Sequence, residues 1–499
     1  MLRPGLVLIY ALCLPLALVA GYLLANPTTF TSFSFLSLVF CVLLFPLFIR
    51  GHHTLLIFAW NSFLIVFFLP GEPSLGVFLA VGSLFMSILN HTLRKSEKFI
   101  TPASVALPLV LLLVVVFVTI MLTGGVGARS LGSESFGAKR YITLIGAIIG
   151  FFALTAKSIP KNKRILMASV YFLSGLTAAV SDIAYALGPA FYFLFIVFSS
   201  SLAAMQVVTQ DTLLRFSGVT WASLALCFYL LMRFGIAGLF QVHRPWRLGL
   251  FVVGIVASLF GGFRSSIIIL AILLLTQFYY EGLFRTKFFP IFVMAVMVSA
   301  LVVLPFVDKL PLSVQRSLSF LPINVDRVAA YDAISTLDWR LEMWKIMVPE
   351  IPKYILIGKG YTFSGTDYFL TQEATRRGLY RAYESTLITG NYHSGLLTII
   401  IPFGIFGLIA FFWFCWAALR VLYKNYQNGS DDLKTVNTFL LSFFVGRLIF
   451  YLFFYGQLEL DLHIFTGAVG MSVALNGGVL REKAPEEVVL KEEPEAVAA

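Results

Sequence analysis

Four charged residues stand inside or at the edge of long apolar runs: Asp182, Arg215, Arg264 and Arg447. Taking a charge into hydrocarbon is costly, so each is a candidate site residue unless a partner or a headgroup satisfies it. Arg264 lies in Gly261-Gly-Phe-Arg-Ser-Ser, where two glycines allow a tight hairpin and leave the guanidinium open to a lipid-borne anion. An isolated arginine there would as readily snorkel to headgroups. Arg447 falls within Phe443–Phe454 and is expected to be structural, paired with Asp182 or Glu459. Arg340 occupies Leu337-Asp-Trp-Arg-Leu-Glu-Met-Trp344, which puts Trp339 and Arg340 on one short amphipathic helix. Gly358-Lys-Gly360 reads as a turn. His393-Ser394 stands where a polar stretch enters an apolar helix, and Gly404-Ile-Phe-Gly407 follows after nine residues. Taken singly, Arg340 reads as a surface ion pair and His393 as an interfacial cap. Together they supply fixed cations for phosphate oxygens and an imidazole whose ordinary pKa is about 6.5.

The elements that must position these residues are helices in a membrane. Of 499 residues, 59% are hydrophobic and 12% charged, about half the charge of an ordinary soluble domain. Soluble enzymes, disordered regulators and disulfide scaffolds are excluded. Fifteen apolar runs read as spans, near 5–25, 30–49, 54–70, 74–90, 103–123, 141–156, 165–182, 189–206, 217–234, 246–262, 265–280, 288–306, 394–421, 436–455 and 459–476. The fold class is an all-α polytopic membrane protein of about 14 transmembrane helices (12–15) with one large extracytoplasmic loop domain. The net charge of +11 fits basic cytoplasmic loops, and no nucleic-acid motif accompanies it. Cys13, Cys41, Cys227 and Cys415 lie in apolar runs and read as reduced packing residues.

Residues 307–393 hold nine acids and ten bases, 19 of the 61 charged residues, which marks them as the extramembrane domain. The expected organisation is N-terminal helices over 1–210, helices with the hairpin arginine over 211–306, the loop domain over 307–393, C-terminal helices over 394–478 and a disordered cytoplasmic tail over 479–499. Arg94-Lys95, Lys157–Arg164, Arg244–Arg247, Arg285/Lys287 and Arg420/Lys424 read as cytoplasmic. Counted from Arg244 onward, the large loop falls outside and the tail inside. Counting from the N-terminus reaches the opposite result, so one segment between 165 and 206 must be re-entrant or not a separate span.

His393-Ser394-x9-Gly404-x2-Gly407, preceded by a large loop with a Trp-Arg helix and a Gly-x-Gly turn, resembles the O-antigen ligase superfamily. The match to its H-[N/S/Q]-x9-G-x-x-G signature holds at every fixed position. Arg264 matches the family's hairpin arginine, although Phe263 stands where a serine is common. Arg340 matches the loop arginine before the Gly-x-Gly turn, and Arg215 looks like a further outer-edge arginine. The resemblance covers about residues 210–410. It implies transfer of a glycan from undecaprenyl diphosphate to an acceptor glycolipid or glycan. That chemistry would occur on the outer face of the bacterial cytoplasmic (inner) membrane, with a periplasmic active site and membrane lipids around it.

The implied catalytic residues are His393, Arg264 and Arg340, with Arg215, Trp339, Ser394, Gly358 and Gly360 binding substrate. No cofactor, metal or nucleic acid is expected. Glu459-Leu-Asp461-Leu-His463 is a second arrangement with metal-ligand types at helical spacing, its alternative being a cap paired with Arg447. Early loops offer isolated acids, Glu72 and Glu134. Ligase and polymerase share the donor and differ in acceptor, and the motif spacing favours the ligase. A transporter or flippase, of another class, should show repeated halves, and no repeat is visible.

Overall fold

The structure, a computed structural model, describes residues 13–19, 21–22, 30–67, 69, 71–93, 99–127, 135–203, 205, 213–379 and 384–480. Most of the expected span 5–25 lies outside these residues, as do Arg94-Lys95, Glu134 and the tail from Arg481. The described chain is almost wholly helical: α1 (Phe30–Trp60), α2 (Leu75–Leu93), α3 (Ala103–Leu122), α4 (Ala138–Leu154), α5 (Arg164–Leu173), α6 (Ala179–Leu187), α7 (Ser217–Leu239), α8 (Trp246–Ser258), α9 (Arg264–Tyr280), α10 (Phe288–Val303), α11 (Leu312–Leu318), α12 (Arg327–Met347), α13 (Ile351–Tyr354), α14 (Gly365–Arg376), α15 (Glu384–Thr389), α16 (Leu397–Asn428), α17 (Lys434–Phe453) and α18 (Leu458–Asn476). Among the described residues, eight helical segments are long and apolar enough to cross a membrane, and two shorter apolar ones, Trp246–Gly261 and Arg264–Tyr280, stand between them. This is a polytopic helical membrane protein.

Two expected spans are absent as separate helices. The polar run Arg50-Gly-His-His53 divides 30–49 from 54–70 by composition, yet α1 continues through it to Trp60. Neighbouring helices satisfy those polar groups: the His52 ring bonds Ser83 Oγ at 2.8 Å and His53 bonds the Leu154 carbonyl at 3.0 Å. Within the described part of 189–206, Pro189–Ile196 is a 3₁₀ helix, after which the backbone pairs with the segment that follows α1, Ile65 N donating to Val197 O at 2.8 Å and Ser199 N to Phe63 O at 2.9 Å.

α18 forms the centre, packed most heavily on α4 and also on α16 and α17. α10 has no buried residue and stands at the periphery. Between Lys309 and Leu397 no described helix meets the criterion for a span. This stretch joins the bundle through one two-stranded antiparallel ladder, Ser135–Phe136 against Phe363–Ser364, and through the docking of α11 and α12 described next.

Candidate active site

The Gly261-Gly262 turn is the hub. Gly262 has φ +68°, a left-handed conformation open to glycine at little cost, and a Cβ there would stand 3.4 Å from both Arg215 Nε and Arg316 Cδ. Arg215 donates through Nε to the Gly261 carbonyl at 3.0 Å and stacks on Phe263, 4.5 Å from the ring centroid. Arg316, on the short helix α11, donates to the Gly262 carbonyl and pairs with Asp332 of α12. Arg264 opens α9 and donates to the Ala333 carbonyl at 2.7 Å. The turn therefore gathers three guanidiniums, and α12 is tied across it by neighbouring residues Asp332 and Ala333.

Arg340 lies seven residues beyond Ala333. That is two helical turns, so it projects from the same face of α12. Its guanidinium stands over Tyr455, 5.6 Å from the ring centroid, and its Nε is buried without a hydrogen-bond partner. Burial lowers its pKa, and the positive charges of Arg264 and Arg316 add to that effect. Such a concentration of cations, held by backbone carbonyls, is suited to an anion with several oxygens.

His393 sits beside this cluster in an unusual backbone state, φ +50°. Non-glycine residues there cost on the order of 1–3 kcal/mol and are often found at functional sites. The ring is held edge-on between two aromatics, Trp339 at 4.9 Å and Tyr455 at 5.1 Å between centroids. Next to it, Trp344 Nε1 donates to the Tyr392 carbonyl at 2.8 Å. Met343 and Met347 of α12 pack with Tyr392, Leu397 and Ile401, which fixes the helix carrying Trp339 and Arg340 against the start of α16. His393 Nδ1 is buried with no hydrogen-bond partner. Burial, and then repulsion from Arg340, bring its pKa down to about 4, so the imidazole is neutral at physiological pH.

The remaining candidates are placed otherwise. Ser394 lines an apolar cavity of about 350 Å³ with Trp344, Val348, Ile351, Leu397, Ile400 and Leu408. Gly358 and Gly360 make their contacts with Pro402, Thr123 and Tyr141, not with the arginines. They form a backbone clamp. α16 breaks at Gly404, φ +61°, and the carbonyls of Ile401 and Pro402 accept from Lys359 N at 2.7 Å and Gly360 N at 3.0 Å. Ile405 N donates back to Ile355 O at 2.7 Å. A Cβ on Gly358 would lie 1.9 Å from the Pro402 oxygen, so only glycine permits this approach.

The Glu459, Asp461 and His463 side chains are each engaged elsewhere. Arg140 clasps Glu459 with Nε and its second amino nitrogen at 2.8 and 3.2 Å. Arg447 pairs with Asp461 at 2.7 Å, neither with Asp182 nor with Glu459. His463 bonds the Trp60 carbonyl at 2.8 Å and stacks on that indole at 4.1 Å. Among the described residues no group of three metal-ligating side chains gathers. Asp182 accepts from Val219 N at 2.7 Å and so caps the start of α7.

Arg316 and Tyr455 shape the site and Arg140 engages Glu459, and the sequence singles out none of the three. Arg316 is one basic residue within a charge-rich stretch. Tyr455, just past an apolar run, carries the signal of an aromatic at the mouth of a helix pair. Arg140 reads only as a basic residue at a helix start.

Clustered arginines beside a neutral histidine, carried on a helical membrane bundle, form a site chemically suited to an anion with several oxygens. Residues 249–412 match the family model described as O-antigen ligase. That segment contains Arg264, Arg316, Arg340 and His393, and through it the chain is similar to the O-antigen ligase family. No curated protein and no solved structure matches the chain.

Proposed function

We propose that this protein is an O-antigen ligase-like glycosyltransferase that moves a glycan from undecaprenyl diphosphate to a sugar hydroxyl of a lipid A–core acceptor. The observation that carries this reading is the placement of Arg340 and His393 against the same Tyr455 ring, with the charges of Arg264 and Arg316 close enough to act on Arg340. In the reaction the acceptor oxygen bonds to the anomeric carbon while the bond from that carbon to the diphosphate oxygen breaks. The electron pair of the broken bond stays on the diphosphate, and the hydroxyl proton passes to His393.

Arg264 and Arg340, with Arg215 as a third, hold the diphosphate and stabilise its growing charge without a metal. Single fixed donors of this type are worth about 10²–10³ in rate. A ring with pKa about 4 is a weak base. A bound diphosphate would offset the repulsion from Arg340 and raise the basicity of His393 when substrate is present. Trp339 and Tyr455 supply flat faces for sugar rings, and the apolar cavity beside Ser394 is suited to the lipid end.

The orientation rests on charge. Arg164, Arg244–Arg247, Arg285, Lys287, Arg420 and Lys424 lie at the helix ends away from His393, which supports a periplasmic site in the inner membrane. A polymerase, which uses the same donor with a lipid-linked repeat as acceptor, is the second reading. Sugar-chain analysis of a deletion strain separates the two. Loss of polymer from lipid A–core with lipid-linked polymer retained supports the ligase; lipid-linked single repeats alone support the polymerase. Photo-crosslinking of an undecaprenyl-diphosphate probe tests the donor directly. Labelling should fall in Arg264→Ala and Arg340→Ala, and equal labelling of wild type and both variants would overturn the assignment.

A further inference from the structure

At the opposite end of α7 and α8 from the arginine-histidine site lies a second group of guanidiniums with no role in the reaction. Arg247 is 5% exposed, yet its hydrogen bonds go to neutral groups and not to a carboxylate. One amino nitrogen donates to the Gly238 carbonyl at 3.0 Å and to Gln241 Oε1 at 2.9 Å, and its buried Nε has no hydrogen-bond partner. The guanidinium lies flat enough on Phe234 to stand 3.9 Å from the ring centroid, and Arg233 stands 5.6 Å from the same centroid. Arg244, three residues before Arg247, contributes a third positive charge near it. The nearby carboxylate, Glu281, is spent on Ile236 N, Ala237 N and Gln277. α8 begins here, so its free N–H groups add to the positive field.

The apolar surface beside the group is also particular. Trp246, Leu250 and Val253 follow one another at i, i+4 and i+7, which aligns them on one face of α8, and they are 52%, 41% and 60% exposed. A fixed, partly unpaired guanidinium flanked by two exposed ones fits a phosphate diester. An interfacial indole and an apolar stripe running into the membrane fit acyl chains.

We propose that Arg233, Arg244, Arg247 and Trp246 form a binding site for one anionic phospholipid of the leaflet opposite the arginine-histidine site. The headgroup phosphate meets the three arginines and an acyl chain lies along Trp246, Leu250 and Val253. The site is independent of the proposed transfer chemistry. It stands on charge complementarity, on the unsatisfied Nε and on the adjoining stripe.

The test is native mass spectrometry of the full-length protein in detergent, titrated with phosphatidylglycerol, with phosphatidylcholine and with inorganic phosphate. The expected result is saturable retention of phosphatidylglycerol with markedly weaker retention of phosphatidylcholine. The double variant Arg233→Gln/Arg244→Gln, whose substituted residues are both exposed, should weaken phosphatidylglycerol binding about thirtyfold. A second variant, Arg247→Lys, keeps the charge but loses the planar contacts and should bind with intermediate affinity. Equal retention of both lipids, or unchanged binding in the double variant, would overturn the proposal. Inorganic phosphate binding as tightly as the lipid would overturn the lipid as its ligand.

Discussion

Replacing Arg340 by glutamine should raise the pKa of His393 by about one unit, from about 4 to about 5. Both groups face the same Tyr455 ring, at 5.6 and 5.1 Å from its centroid, so they are no more than about 11 Å apart. Two like charges at the far limit of that separation, with an effective dielectric constant near 20, repel by about 1.5 kcal/mol, the least the pair contributes. One pKa unit corresponds to about 1.4 kcal/mol, which gives the predicted shift. Burial is the larger cause of the depression and remains in the variant, so the ring should stay below its ordinary value of 6.5. The assay is a pH titration of the imidazole NMR resonances in detergent, with His393→Asn identifying the signal among the six histidines of the chain. Addition of undecaprenyl diphosphate to wild type should move the same resonance in the same direction, because the anion offsets the arginine charge. A resonance unmoved by Arg340→Gln, or moved toward lower pKa, would refute the electrostatic link between the two residues.

Other outcomes follow from the same geometry. Arg264→Ala and Arg340→Ala should each cut transfer by about 10²–10³ without loss of membrane expression, with lysine restoring only part because the planar fork is gone; steady-state transfer rates decide this. Acidification from pH 6.5 toward 4 should cost wild type up to about 3 kcal/mol through His393, since the unfolded chain takes up a proton that the buried ring refuses. That stability is fully present above pH 6.5, and thermal melts of His393→Asn should show a shallower acid slope. Gly358→Ala and Gly404→Ala should each lose about 1–3 kcal/mol, the first from overlap with the Pro402 oxygen and the second from its left-handed backbone, read as a lowered Tm. Asp461→Asn strands the Arg447 guanidinium in the bundle and should cost about 3–5 kcal/mol, whereas apolar replacement of both partners should recover most of it.

Most helices are legible in the apolar runs, because a span needs continuous hydrophobicity and the eight qualifying segments have it. Sequence and fold part company where polar residues find partners across helices. Arg50-Gly-His-His53 reads as a loop by composition, yet Ser83 and the Leu154 carbonyl absorb the two histidines and the helix runs on. Conversely, Pro189–Ile196 is apolar enough to read as part of a span but leads into backbone pairing with the segment that follows α1. The types and spacing of Arg264, Arg340 and His393 are legible, whereas their approach to one another is not. It depends on α12 crossing the Gly261-Gly262 turn, held by Arg316, and on Tyr455, more than a hundred residues along the chain from Arg340. Gly358 and Gly360 look like a substrate turn because a Gly-x-Gly pattern is the same whether it approaches a ligand or another backbone. Here the neighbour is the break in α16. The partner of Arg447 follows helix register, which brings Asp461 rather than Glu459 to its guanidinium.

Metal-free transfer by clustered arginines and His393 has a decisive test. Its most direct measurement is the transfer rate of purified protein on an undecaprenyl-diphosphate glycan in the presence of EDTA, for wild type and His393→Ala. Wild-type transfer should survive EDTA, and His393→Ala should abolish it while leaving the protein folded. Transfer lost to EDTA and restored by a divalent cation, or retained in full by His393→Ala, would contradict it.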